Sequence, residues 1–147
     1  MATHVQTGAA HHLRLTVADP ARSRAFYTGL LGFQRLMEFP DSVLLTNGTL
    51  LLGLRTAPDP SRATAGDRAD PNRVGLDHLA LSVASRADIE AAARLFDQRG
   101  VTHGEIVDLG AAFGLYVMMF EDPDGIQLEL TAPHGQIREE GGEGARG

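Results

Sequence analysis

Residues 11–18 read HHLRLTVA and residues 77–84 read DHLALSVA. Each copy sets a histidine, His12 or His78, at the head of an alternating apolar/polar run, the period-two signature of a half-buried strand. Each run leads into a helix-start signal, Asp19 with Pro20 in the first copy and Ser85 in the second. Self-similarity of this kind marks two copies of one supersecondary unit. It also brings two imidazoles from distant sequence toward one place, so a metal site is the first chemical hypothesis.

Outward from the first copy, a helix is expected from Pro20 to about Leu31, burying Ala25, Phe26 and Leu30 and stopped by Gly32. Strands are expected at about 34–39, 42–46 and 49–55, with Asn47 and Gly48 as a tight hairpin turn between the last two. The second copy predicts a strand over 77–83 and a helix over 86–99. That helix places Ile89, Ala92, Ala93 and Phe96 at i, i+3, i+4, i+7 spacing and ends at Gly100. Strands at about 104–108, 113–121 and 126–131 follow, with residues 122–125 (DPDG) as the last turn. Both halves therefore read β-α-β-β-β. The expected organisation is a flexible N-terminus over 1–10, a first module over 11–55, a proline-rich linker over 56–74, a second module over 75–133 and a flexible tail over 134–147.

The 147 residues, 43% hydrophobic, suit one compact domain or two half-units sharing a core. The chain has no cysteine, which excludes disulfides, thiolate metal sites and cysteine nucleophiles. A net charge of −6, with 13 Lys and Arg in no basic stripe, argues against a nucleic-acid partner. No apolar run reaches the length needed to span a bilayer, and the N-terminus lacks the regions of a secretory signal. A cytoplasmic protein with no membrane partner is expected.

Strand parity turns this outline into a site. His12, Arg14 and Thr16 share one face of the first strand, while Leu13, Leu15 and Val17 share the other. In the second copy His78, Ala80 and Ser82 oppose Leu79, Leu81 and Val83. The apolar faces must pack under the helices, so the histidines face away from them, toward a concave surface. In the last strand Gln127, Glu129 and Thr131 alternate with Ile126, Leu128 and Leu130. Two imidazoles and one carboxylate, His12, His78 and Glu129, form a ligand set suited to a divalent first-row metal with open positions. Aligning Gly48 with Gly125 sets Leu52 opposite Glu129. Leu50, Leu52 and Leu54 are then expected as an apolar wall of the site, joined by Met119.

On residues 12–19 (HLRLTVAD), Ser23 to Tyr27, residues 31–33 (LGF), residues 77–83 (DHLALSV) and residues 122–129 (DPDGIQLE), the chain resembles the vicinal oxygen chelate superfamily, the glyoxalase/bleomycin-resistance/dioxygenase group. The resemblance spans about residues 11–133. It implies an α+β fold in which two βαβββ modules form an open β-cup with the helices on the outer face, commonly as a homodimer, swapped or unswapped. Carried over position by position, it implies His12, His78 and Glu129 as metal ligands. Relatives of the glyoxalase I and methylmalonyl-CoA epimerase kinds use a fourth ligand where Leu52 is aligned. Fosfomycin-resistance transferases and type I extradiol dioxygenases use three ligands, but usually with a tyrosine where Met119 stands.

The expected function is a metal-dependent enzyme that chelates a small oxygenated, anionic or aromatic substrate and stabilises an oxyanion. Ring cleavage by a dioxygenase, isomerase or lyase chemistry, and epoxide opening by a transferase all fit. One divalent metal is expected, Fe(II), Mn(II), Ni(II) or Zn(II). Glu129 is the candidate base. Arg14 is either an anion anchor or a structural ion-pair partner, and Thr16, Leu50, Leu52, Leu54, Ser82, Met119 and Gln127 complete the expected substrate-binding set. His103 and His134 read as loop residues that a folded-over loop could recruit as proton carriers. The rival reading is a metal-free protein of the bleomycin-resistance type that sequesters a small molecule in the same cup.

Overall fold

The computed structural model describes residues 3–135, so the expected tail lies outside the described residues from 136 onward. Residues 3–10 carry no helix or strand. The chain divides into two compact units between Arg68 and Ala69.

The first unit runs β1 (Leu13–Thr16), α1 (Pro20–Leu31), β2 (Gln34–Phe39), β3 (Ser42–Thr46) and β4 (Leu51–Arg55). Its four strands form one sheet in the order β1-β4-β3-β2, with β1 parallel to β4 and the other pairs antiparallel. The second unit repeats this with β5 (Leu79–Ser82), α2 (Arg86–Arg99), β6 (Val107–Asp108), β7 (Leu115–Glu121) and β8 (Gln127–Pro133), ordered β5-β8-β7-β6. Within the expected linker, one 3₁₀ turn at Pro60–Arg62 interrupts irregular chain. Among the described residues no helix is long and apolar enough to cross a membrane.

Both helices begin and end as their sequences require. The Asp19 carboxylate accepts from the Ala21 and Arg22 N–H groups at 3.0 and 3.3 Å, covering donors the first turn leaves unpaired. Ser85 Oγ accepts from the Asp88 N–H at 3.3 Å and donates to the Asp88 carboxylate at 2.8 Å. Gly32 and Gly100 end the helices in the left-handed region, at φ 71° and 67°, where a side chain would be strained.

Packing departs from expectation in α1. Ser23 and Tyr27 are its buried residues, whereas Ala25 is exposed and Phe26 and Leu30 are half-buried. A polar serine one turn from a tyrosine gives no apolar stripe to read. Tyr27 nevertheless carries the contact, its ring edge-on to Phe26 and Phe33 at 5.2 and 5.9 Å. In α2 Ile89 and Phe96 are buried while Ala92 and Ala93 between them are half-buried, and the Phe96 ring lies 4.7 Å from that of Phe120 on β7.

The hairpins also differ from expectation. Residues 47–50 together close the β3–β4 hairpin, because Thr46 pairs with Leu51. Asn47 Oδ1 holds this loop by accepting from the Thr49 and Leu50 N–H groups at 3.1 and 2.9 Å. The β7–β8 turn takes residues 122–126, since Glu121 pairs with Gln127. There the Asp122 carboxylate accepts from the Asp124 and Ile126 N–H groups at 2.8 and 3.0 Å. The strand expected over 104–108 contracts to Val107–Asp108, with an isolated bridge from His103 to Phe120.

His103 fastens this stretch to α2. Its Nδ1 donates to the Gly104 carbonyl at 2.8 Å, and its Nε2 donates to the Asp97 carboxylate at 3.0 Å. With both ring nitrogens donating, the protonated form is favoured. The Gly104 bond and then the Asp97 bond raise its pKa above 6.5, against the opposing cost of desolvation. A raised folded-state pKa contributes stability that is complete below the unfolded value and is lost as pH rises through the folded value. Chemical denaturation from about pH 5.5 to 8.5 is therefore expected to show wild-type stability falling relative to a His103→Ala variant. Parallel pH profiles would refute this role.

Each sheet has an apolar face under its helix. Leu15, Val43, Leu45, Leu52 and Leu54 are buried in the first unit, and Met118, Phe120, Leu128, Leu130 and Ala132 in the second. The opposite faces carry the polar positions.

Candidate functional site

In the second unit, parallel registry sets Ala80 beside Glu129 and Ser82 beside Thr131, while antiparallel registry sets Met119 beside Glu129. Ala80, Ser82, Met119, Gln127, Glu129 and Thr131 thus share the face away from α2. His78 stands just before β5, two residues from Ala80. Its Nε2 lies 3.7 Å from Glu129 Oε2. This pair is the candidate centre of the unit.

Both members are held by neighbours. The Asp77 carboxylate lies 2.6 Å from His78 Nδ1. A carboxylate carries no proton to give, so Nδ1 donates, and in the neutral ring Nε2 is left as the lone-pair nitrogen facing Glu129. Thr131 Oγ1 donates to Glu129 Oε1 at 2.8 Å, which leaves Oε2 as the oxygen turned toward the imidazole. The Glu129 side chain is 16% exposed, so this carboxylate is largely withdrawn from water. A histidine oriented through Nδ1 and a carboxylate braced at one oxygen suit a divalent metal, because the bracing fixes ring and carboxylate orientation.

His12 belongs to the first unit and immediately precedes β1. It is exposed, and its Nδ1 lies 2.9 Å from His11 Nδ1, the rings edge-on at 5.2 Å. In both copies, then, the residue before the candidate ligand engages its Nδ1. Among the described residues no group of three or more His, Asp or Glu side chains is gathered as a metal-holding cluster. The His78–Glu129 pair is what the second unit assembles by itself.

Register overturns the expected apolar wall. Leu13 pairs with Leu52, Arg14 with Gly53 and Leu15 with Leu54. Leu52 and Leu54 therefore lie on the helix side with Leu15, wholly buried in the core, and Leu50 sits in the hairpin loop before β4. Since Arg14 and Ala80 are equivalent in the two copies, the counterpart of Glu129 is Gly53, not Leu52. Two residues separate Gly48 from Leu51, but one separates Gly125 from Gln127, so aligning the glycines slips register by one. A one-residue slip moves every side chain to the other face.

The remaining expected residues divide clearly. Arg14 and Thr16 are exposed on the polar face of β1, as parity requires. Ser82 is exposed and Met119 half-buried beside Glu129. The Gln127 amide donates to Glu121 Oε1 at 3.1 Å and to the Gly125 carbonyl at 3.3 Å, so it braces the turn. His103 is bound to α2, as above. His134 Nε2 lies 2.6 Å from Asp108 Oδ1, with its ring 4.5 Å from that of Tyr116. The Gly110 N–H, and then His134, hold the Asp108 carboxyl below the usual aspartate range. Asp77, Thr131 and Arg55 were missing from the expected set. Asp77 was signalled by its slot before the repeated histidine, and Thr131 by parity with Glu129.

A family model described as the Glyoxalase/Bleomycin resistance protein/Dioxygenase superfamily matches residues 9–130. The uncharacterized protein YwkD of Bacillus subtilis (strain 168) is 30% identical over 127 residues, 82% of this chain and 93% of that protein. The uncharacterized protein YaeR of Escherichia coli (strain K12) is 33% identical over 127 residues, 82% of this chain and 92% of that protein. Among solved structures, a glyoxylase/bleomycin resistance protein/dioxygenase domain from Frankia sp. EAN1pec is 26% identical with a TM-score of 0.73, covering 87% of this chain and 99% of that one. Two more distant structures share the fold alone. The fosfomycin resistance protein FosX from Listeria monocytogenes has 15% identity and a TM-score of 0.68, over 90% of this chain and 97% of its own. The antibiotic binding protein TnmS3 from Streptomyces sp. CB03234 has 19% identity and a TM-score of 0.62, over 88% and 99%.

Proposed function

The chain belongs to the Glyoxalase/Bleomycin resistance protein/Dioxygenase superfamily, and from that premise we propose that it is a divalent-metal-dependent enzyme acting on a small oxygenated, anionic or aromatic substrate. The supporting observation is the His78–Glu129 pair, 3.7 Å apart, with His78 oriented by Asp77 and Glu129 by Thr131. His12, His78 and Glu129 are the residues that would hold the metal. When bound, it would supply Lewis acidity toward two substrate oxygens.

The chain's own groups carry the rest of the proposal. His78 presents Nε2 because Asp77 occupies Nδ1. Thr131 Oγ1 engages Oε1 of Glu129, so Oε2 is the oxygen that would ligate the metal, and the same oxygen is the candidate base whenever it is released from that role. Met119, in register with Glu129, offers apolar contact beside the carboxylate. Arg14 balances negative charge on the substrate, and Thr16 and Ser82 place hydroxyl groups on the polar faces of their own sheets. Such a constellation serves oxygenation, isomerisation, lyase chemistry or addition to an epoxide, with the metal, Fe(II), Mn(II), Ni(II) or Zn(II), deciding among them. A homodimer acting on a small molecule belongs to the same reading.

Elemental analysis of the untagged full chain, purified without chelator and after separate addition of the four ions, tests it. One bound ion per chain is the expected result. No bound metal under any addition would overturn the proposal and leave metal-free sequestration of a small molecule as the reading to pursue.

A further inference from the structure

In the second unit the polar face carries a small residue on the first strand and a charged one on the last, Ala80 beside Glu129. The first unit inverts both size and charge at the same positions, with Arg14 beside Gly53. A Cβ at Gly53 would lie 3.2 Å from Arg14 Nε and 3.4 Å from its Cγ. The missing side chain at Gly53 is therefore what lets the arginine lie flat across β4. Arg55 stands two residues farther along the same strand and face, about 7 Å away, in register with Thr16.

Neither guanidinium is neutralised in a strong pair. Among the described residues Arg14 has no ion-pair or hydrogen-bond partner. Arg55 has one loose contact, Nη2 to Asp41 Oδ2 at 3.9 Å, with the Asp41 side chain 60% exposed. Its Nε is buried without a partner, so part of its donor capacity is desolvated and unmet. The other residues in register on this face are uncharged, Ser42, Leu44, Thr46 and Leu51 on β3 and β4 and Gln34, Met37 and Phe39 on β2.

We propose that this face is an oxyanion shelf, on which Arg14, laid over Gly53, and Arg55 together bind a carboxylate or phosphate group with Thr16 as a hydroxyl donor. An unpaired guanidinium, Arg14, and a loosely paired one, Arg55, on one sheet face offer the forked, charge-assisted donors that such groups accept. Gly53 then sets specificity by clearing the path of Arg14. As a substrate anchor the shelf rests on the functional reading above; as a binding site it stands on the first unit alone.

Calorimetric titration of the full chain, stripped of metal with a chelator and held at low ionic strength, tests the shelf with inorganic phosphate and malonate as probes. Because metal is absent, failure of the metal reading cannot change this result. Saturable binding of either probe supports the shelf, and the preferred probe assigns the anion class. Arg14→Gln and Arg55→Gln should each weaken binding about tenfold or more. Gly53→Val should do the same with an unchanged circular dichroism spectrum. Arg14 is exposed, so its variant should keep the wild-type melting temperature and separate lost binding from lost fold. Absence of saturable binding of both probes to the wild type, or equal affinity in Arg14→Gln, would overturn the proposal.

Discussion

Changing His78 to alanine is expected to lower divalent-metal affinity on the order of a thousandfold. A structural zinc site with four ligands contributes roughly 10–16 kcal/mol, so one ligand represents roughly 3–4 kcal/mol. At about 1.4 kcal/mol per tenfold, that corresponds to on the order of a thousandfold. Asp77→Ala should have a smaller effect, about 10- to 100-fold, because it leaves Nε2 in place and removes the group that orients the ring. The ordering separates a ligand from its support. Competition against a chromophoric chelator would measure both, for each of the four candidate metals. The His78 side chain is 37% exposed, so the melting temperature of the metal-free variant should stay close to that of wild type. Retention of wild-type affinity in His78→Ala would remove His78 from the metal proposal.

The second large effect is structural. Phe96→Ala should destabilise the second unit by about 3–5 kcal/mol, the range for deleting a fully buried aromatic ring. Phe96 is 1% exposed and packs against Phe120, which is also 1% exposed, with the rings 4.7 Å apart. It couples α2 to β7, and the His103 ring also packs on it, with the two ring centroids 6.0 Å apart. Domains of this size hold only about 5–15 kcal/mol of net stability, so such a loss would lower the denaturation midpoint markedly. Urea unfolding should show that lower midpoint with an unchanged slope. A loss under about 1 kcal/mol would mean that the neighbours collapse into the vacated space.

The helices were largely readable because their signals are local. Asp19, Pro20 and Gly32 bound α1, and Ser85 and Gly100 bound α2, through hydrogen bonds and φ angles involving residues only a few positions apart. Strand parity was equally local at β1, β5 and β8. Arg14, Thr16, Ala80 and Ser82 are exposed, and Leu128 and Leu130 are buried, as alternation requires. The buried face of α1 was less legible, because Ser23 and Tyr27 form no apolar stripe. Their burial follows from what lies beneath the helix.

The sequence by itself determined the duplicated β-α-β-β-β order, the caps that bound the helices, and the polar face on which His78 and Glu129 sit. These depend on alternation and on bonds between near neighbours along the chain. Tertiary structure alone decided that Gly53 is the counterpart of Glu129, that Leu52 and Leu54 belong to the core, and that Glu129 comes within 3.7 Å of His78. Those outcomes depend on which residues lie side by side across strands. Hairpins closed by residues 47–50 and 122–126 differ by one residue, and a shift of one along a strand exchanges its buried and exposed faces.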